Sequence, residues 1–402
     1  EMRVVGSEIV DQIRPSGQVV TARDKTLNDA EKQRLILSAL PGAVAERFAG
    51  ARVVRFHDQL ILKKQVTHLG KPHPNFKKRI QIPPKWLEVH AKASSVGLTT
   101  RFVGIYHFGS VTIFVDFDPA TYLLRKANNS AAHVSTNDLY QAQLAGKFSR
   151  VDQNGNRLTS VRFDEFASYL RNGGVPSSPW IDVFRGFNAG FLKMGQLQAI
   201  TAVKEMHAAS WPDRFQSEWP GFYLEFRFDS YLCQNNLEHL IKYQKNKKKA
   251  EYDYDLRFNQ STGRVSNYGD LKASDVAKCE APGNDANNLA RCVKKFRRFW
   301  YVIYEHETTC ARENGDIATR VWNKLRRSLG YKQKGRYHPL SYKARFKESV
   351  RFVKMWILEL NQANASLVLG DFKQGRQPNG ASRALKVMIK KRNIDNFLIY
   401  SE

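Results

Sequence analysis

Between Tyr252 and Ser274 a strongly basic chain places Asp253, Asp255, Asp270 and Lys272 at close spacing. Hydrolysis of a phosphodiester needs an attacking water, relief of negative charge on the phosphate and stabilisation of the leaving oxygen. Carboxylates on neighbouring strands are hard oxygen donors that can hold a divalent ion such as Mg²⁺, and the ion supplies much of that charge relief. A lysine beside them can orient the water and neutralise developing charge. The residue types at this point in the chain are therefore the parts of a phosphodiester-cleaving site.

Local patterning supplies the strands. Tyr252, Tyr254, Leu256 and Phe258 alternate with Asp253, Asp255 and Arg257, the period of a half-buried strand. The polar run from Asn259 to Gly263 predicts a turn, and Val265 to Ala273 a returning strand. On that strand Asp270 and Lys272 share one face while Leu271 and Ala273 take the other. Upstream, "WPGFYLEFRFDSYLCQNN" predicts a helix with Phe222, Glu225, Phe226 and Asp229 along one side. Downstream, "GNDANNLARCVKKF" predicts a helix starting near Asn284 or Asp285, and "RFWYVIYEHET" a buried strand.

This order resembles the PD-(D/E)xK nucleases, type II restriction endonucleases in particular. In "YDLRF" the first acid would be Asp255, and "GDLKA" would supply Asp270 and Lys272. No proline precedes Asp255, a departure from the family pattern, and Asp253 competes with Asp255 for the first position. Asp255 is favoured because Leu256 follows it, as where a strand enters a core. The resemblance implies an α/β fold, a mixed sheet flanked by helices. It also implies a Mg²⁺-dependent endonuclease that cuts double-stranded DNA at a specific sequence. Asp255, Asp270 and Glu225 would be metal ligands, Lys272 would orient the water, and Glu225 would assist as a further acid. Cutting both strands calls for two sites, hence a homodimer. Two rival readings stand beside it: a DNA-binding protein without catalysis, and a repair or recombination nuclease that reads structure instead of sequence.

The bulk composition agrees with a nucleic-acid partner. The formal net charge is +26, from 64 Lys and Arg against 38 Asp and Glu, and a polyanion neutralises such an excess most readily. No apolar run approaches the roughly 18 residues of a spanning helix, and a signal-peptide core is lacking, so a cytoplasmic protein without membrane attachment is expected. Four cysteines without a close pair predict free thiols. No Walker-type loop, HExxH or GxSxG occurs, which disfavours a nucleoside triphosphate as partner. His306, between Glu305 and Glu307, reads as a strand-end histidine.

"NGGVPSSPW", from Asn172 to Trp180, concentrates breakers and suggests two domains. Residues 1–175 are expected to form a separate β-rich domain with short helices for DNA recognition, and residues 176–402 the nuclease. Leu27 to Phe48 predicts a helix or a pair of short ones, strands are expected from Lys77 onward, and "NDLYQAQLAG" predicts a helix capped by Asn137 or Asp138. Candidate DNA contacts are Lys77, Lys78, Arg79, Arg101, Lys126 and Asn128 in the first domain. In the second they are Lys245, Lys247 and Lys248 before the hairpin, then Lys373, Arg376, Gln377, Asn379 and Arg383 in a glycine-containing loop. Arginine suits guanine edges, and Gln or Asn suits adenine.

Overall fold

A computed structural model describes residues 9–122, 130–172, 178–245, 252, 254–311, 317–332, 346–368 and 385–402. It has a mixed α/β architecture that divides into two compact units, Glu1–Pro176 with Asn393–Ser401, and Ser177–Arg392 with Glu402. The return of Asn393–Ser401 to the first unit is not anticipated by a single linear boundary.

The first unit is built on a seven-stranded sheet. Its order is Lys147–Val151, Arg157–Arg162, Val111–Phe117, Thr99–Phe108, Gln59–Gln65, Ala51–Phe56 and Val44–Phe48. All neighbours are antiparallel except Gln59–Gln65 and Thr99–Phe108, which run parallel. Successive strand residues feed opposite cores, as the two-residue period requires. Phe102 and Tyr106 join the helix Pro84–Ser95 on one side, while Val103 and Ile105 join the helices Asp29–Ala39 and Phe166–Asn172 on the other. Both faces are therefore covered, and the strands read as nearly continuous apolar runs.

Three expectations need correction here. Strands begin well before Lys77, at Ile9–Ile13, Val19–Arg23, Val44–Phe48, Ala51–Phe56 and Gln59–Gln65. The helix expected from Leu27 to Phe48 ends at Ala39, because Gly42 turns the chain at φ +87° into the strand Val44–Phe48. The helix Thr136–Ala145 is capped by Ser135, not Asn137 or Asp138. Asp138 is instead the third helical residue, in the first turn, whose carboxylate accepts from the Ser135 N–H at 2.7 Å.

In the second unit the sheet order is Leu197–Gln198, Lys347–Asn361, Arg298–Cys310, Val265–Asp275, Leu256–Asn259 and Ile241–Tyr243. Among the described neighbours in this order, Val265–Asp275 and Arg298–Cys310 pair in parallel and the rest antiparallel, and the helix Ala286–Phe296 lies between the two in the chain, as a parallel pair demands. The helix Trp219–Gln234 precedes the hairpin, its Phe228 stacked on Phe184 of the helix Pro179–Phe191 at 4.9 Å. The hairpin turns at Gln260–Gly263, where Gly263 takes φ +79° and its N–H reaches the Gln260 carbonyl at 2.9 Å. No helix of the described residues is long and apolar enough to cross a membrane. All four cysteines are free thiols.

Candidate active site

The returning strand of the hairpin fixes two of the site residues and its partner the third. Leu256 pairs with Gly269, so Asp255 stands one step beyond, level with Asp270. The two carboxylates bridge the strands: the Asp255 N–H donates to Asp270 Oδ1 at 3.3 Å, and the Leu271 N–H donates to Asp255 Oδ2 at 3.0 Å. From the other side the Gln244 N–H donates to the Asp255 carbonyl at 2.8 Å. Lys272 lies on the same face as Asp270 and forms an ion pair with it. Both aspartates are buried, at 1% exposure each, whereas the Lys272 side chain keeps 28%. The lysine is thus the open side of an otherwise enclosed acid pair.

Gly269 is what lets the acids come so deep. A Cβ at this position would stand 2.7 Å from the Trp300 carbonyl oxygen and 2.7 Å from Phe258 Cε2, so no side chain fits between the strands immediately before Asp270. Gly269→Ala is expected to destabilise the protein by about 1–3 kcal/mol through overpacking and to displace Asp270. A denaturant titration reads the first effect.

Electrostatics make the pair unusual. Burial, and next the Asp255 charge, push the Asp270 carboxyl well above the ordinary carboxylate range, although Lys272 pulls the other way. For Lys272, burial opposes the charged amine, but Asp270 first, then Asp255 and Glu225, outweigh it and raise its pKa. Because the folded pKa of Asp270 is raised, its contribution to stability is fully present below the unfolded value near ~3.9 and is lost as pH climbs through the folded value. Asp270→Asn cannot lose it. Thermal melts of metal-free protein should therefore show the variant gaining on the wild type from about pH 4 upward until that folded value is passed; a gap that shrinks with rising pH contradicts this linkage.

Glu225, on the helix Trp219–Gln234, accepts a hydrogen bond from the Tyr243 hydroxyl. Burial and then the Glu225 charge drive the Tyr243 pKa up. Glu225 thus contributes to the field at Lys272. Among the described residues no three His, Cys, Asp or Glu side chains are gathered to hold a metal. What is present is a two-carboxylate oxygen set, which suits Mg²⁺, an ion that keeps several waters and takes one or two carboxylates plus phosphate oxygens. Asp253 lies outside the described residues.

The proposed DNA contacts fall into three groups. Lys126, Asn128, Lys247, Lys248, Lys373, Arg376, Gln377, Asn379 and Arg383 lie outside the described residues. Lys77 and Arg79 are half-buried, Lys77 facing Asp395 at 3.7 Å, and Lys245 is exposed but paired with Asp229 at 2.8 Å. Lys78 and Arg101 are corrections. Lys78 is 1% exposed, and burial lowers its pKa with Asp24 and Asp11 opposing only in part, which removes it from a phosphate. Arg101 donates to Asp116 at 2.9 Å and to Gln59 at 3.0 Å, and Asp116 also accepts from Tyr169 at 2.6 Å, so this arginine ties a core carboxylate.

Residues 57–170 match the model of a family described as Methylase-associated X1. That stretch lies in the first unit and contains none of Glu225, Asp255, Asp270 or Lys272. No curated protein and no solved structure matches the chain.

Sequence reasoning missed the outer face of the helix Ala286–Phe296, where Arg291, Lys294 and Lys295 are exposed and Arg291 and Lys295 lie over the Tyr252 ring at 5.9 and 5.7 Å. The spacing of Leu289, Cys292 and Val293, all buried, against these cations was the available signal. His306 is fully buried, and burial, with Lys347 next, pushes its pKa down to about 4. It stays neutral near pH 7, with Nδ1 2.9 Å from the Thr308 hydroxyl.

Proposed function

We propose that this chain is a Mg²⁺-dependent endonuclease that hydrolyses double-stranded DNA at a specific sequence, working as a homodimer of the PD-(D/E)xK type. The observation that carries the reading is the buried meeting of Asp255, Asp270 and Lys272 on one hairpin. A buried carboxyl at Asp270, its proton affinity raised by burial and by the Asp255 charge, makes a place where positive charge is welcome. A divalent cation bound there would relieve charge on the attacked phosphate and lower the pKa of an adjacent water. Asp255 and Asp270 would hold it; Lys272, released from Asp270 in that state, would keep its amine toward the water and the phosphate oxygens.

Further support comes from the strand order around the hairpin. An antiparallel acid strand, a parallel neighbour reached through a helix, and a preceding helix bearing Glu225 are the arrangement expected of such a nuclease core. The net charge of +26 suits a DNA substrate. The first-unit likeness to a family described as methylase-associated suits a nuclease that works beside a methylase.

The experiment is digestion of a defined plasmid with Mg²⁺ or with EDTA, followed by sequencing of any ends. Discrete ends that require Mg²⁺ are expected. Binding without cutting in the wild type would instead favour a non-catalytic DNA-binding protein, and cutting only at forks or mismatches a structure-specific nuclease. Lys272→Ala should lower the cleavage rate by about 10²-fold or more while leaving duplex affinity in EDTA nearly unchanged.

A further inference from the structure

The helix Ile317–Ser328 has two unlike sides. Its inner side is fully engaged: Trp322 packs on Phe346 at 4.4 Å, Arg326 lies 3.6 Å over the Trp322 ring, and Arg326 donates to the Phe215 carbonyl at 2.5 Å. Thr319, Trp322 and Arg326 are its buried residues. The outer side carries two adjacent rows at helical spacing. One row is cationic, Arg320, Lys324 and Arg327, all exposed and without a side-chain partner among the described residues. The other is aliphatic, Ile317 at 71% exposure and Val321 at 45%.

An exposed basic helix face in a soluble chain is ordinarily balanced by acids at i±3 or i±4. Lys324 and Arg327 have no such balance: neither has an acid at i±3 or i±4, and Asp316, four residues before Arg320, is the last aspartate or glutamate before Glu348. A polyanionic partner would supply negative charge to Lys324 and Arg327. Exposed aliphatic side chains beside the cations mean that the partner also offers apolar surface. Duplex DNA offers both, phosphates along the groove walls and thymine methyl groups on its floor. A major groove about 12 Å wide admits a helix whose diameter with side chains is about 10–12 Å. An RNA duplex does not, because its major groove is deep and narrow. A lipid surface would need a broad apolar face, and only two aliphatic positions are available beside the cations.

We propose that the helix Ile317–Ser328 enters the major groove of duplex DNA, with Arg320, Lys324 and Arg327 on phosphates and Ile317 and Val321 against base edges. It packs on the helix Ala199–Ala208, which in turn packs on the helix that carries Glu225, so the reading element and the hairpin site belong to one unit. The inference rests on duplex DNA being the partner, and not on the cleavage step.

The test is fluorescence anisotropy of a labelled random-sequence duplex in EDTA, titrated over a series of salt concentrations. Arg320→Ala with Lys324→Ala and Arg327→Ala should weaken binding by about 10²-fold at near-physiological salt, with the slope of log K against log salt shallower by about 2–3. Ile317→Ser with Val321→Ser should leave random-duplex affinity within a few-fold but shift the bases enriched when the protein selects from a random pool. Lys324→Glu alone should cost about 10-fold and serves if the triple variant fails to fold by circular dichroism. Wild-type affinity and slope in the triple variant overturn the inference. So does loss of binding to phosphatidylserine vesicles with DNA binding intact, which would mark a membrane-facing helix. If the wild type binds through this helix and never cuts, the nuclease reading fails and the inference stands. If the triple variant cuts and binds as the wild type does, the reverse holds.

Discussion

Asp270→Ala is expected to lower DNA cleavage in Mg²⁺ by about 10³-fold or more, ~4 kcal/mol in the barrier, with duplex affinity in EDTA changed by no more than a few-fold. The size follows from how many contacts converge on this one carboxylate. It forms the ion pair with Lys272, accepts from the Asp255 backbone N–H, and stands level with the Asp255 side chain. Its removal takes away a metal ligand, the partner that keeps Lys272 on this face, and the clamp on Asp255 together. Losses at residues that act as a unit do not add, so Asp270→Ala with Lys272→Ala should be scarcely slower than Asp270→Ala alone. Single-turnover cleavage of one labelled site measures both. A rate within 10-fold of wild type would remove Asp270 from the chemistry.

The largest stability effect is expected in the first unit, at Asp138. Arg150 Nε donates to Asp138 Oδ1 at 2.6 Å and Nη2 to Oδ2 at 2.9 Å, with 1% and 0% of the two side chains exposed. The same carboxylate closes the capping box at Ser135. Asp138→Ala therefore leaves a guanidinium buried without its counter-ion and also opens the helix start. Removing one member of a buried pair costs about 3–5 kcal/mol, mostly through the charge that stays behind. Replacing both, as Asp138→Ala with Arg150→Met, should recover a good part of that loss. Urea unfolding followed by tryptophan fluorescence gives the numbers. A single variant within 1 kcal/mol of wild type would mean that water reaches Arg150 once Asp138 is gone.

The parts of the molecule that could be read in advance are those where one face is wet and the other dry. In the hairpin, alternation from Tyr254 to Phe258 and the run Asn259–Gly263 located the turn, and the strand through Asp270 and Lys272 gave their shared face directly. The strand itself starts only at Leu256, because the Asp255 N–H goes to the Asp270 side chain and the Leu271 N–H to the Asp255 side chain instead of to backbone carbonyls. The strands before Lys77 were hidden for the opposite reason. Val53 with Val54, and Leu60 with Ile61 and Leu62, are buried on both faces of a covered sheet, so no alternation survives. Lys78 was misplaced although its parity was informative: it shares a face with Ile80 and Ile82, both buried, while Lys77 and Arg79 take the other. Arg101 carried no such signal. Its partner Asp116 is fifteen residues away on the next strand, and only the register Val103↔Asp116 brings them together.

The most direct test of the account is anomalous diffraction from crystals soaked in Mn²⁺. The expected result is a peak bonded to oxygens of both Asp255 and Asp270, at about 2.0–2.6 Å as for hard cations on oxygen ligands, with Lys272 moved off Asp270. A map with no peak at this hairpin, and the Lys272–Asp270 ion pair intact at saturating metal, would contradict the account.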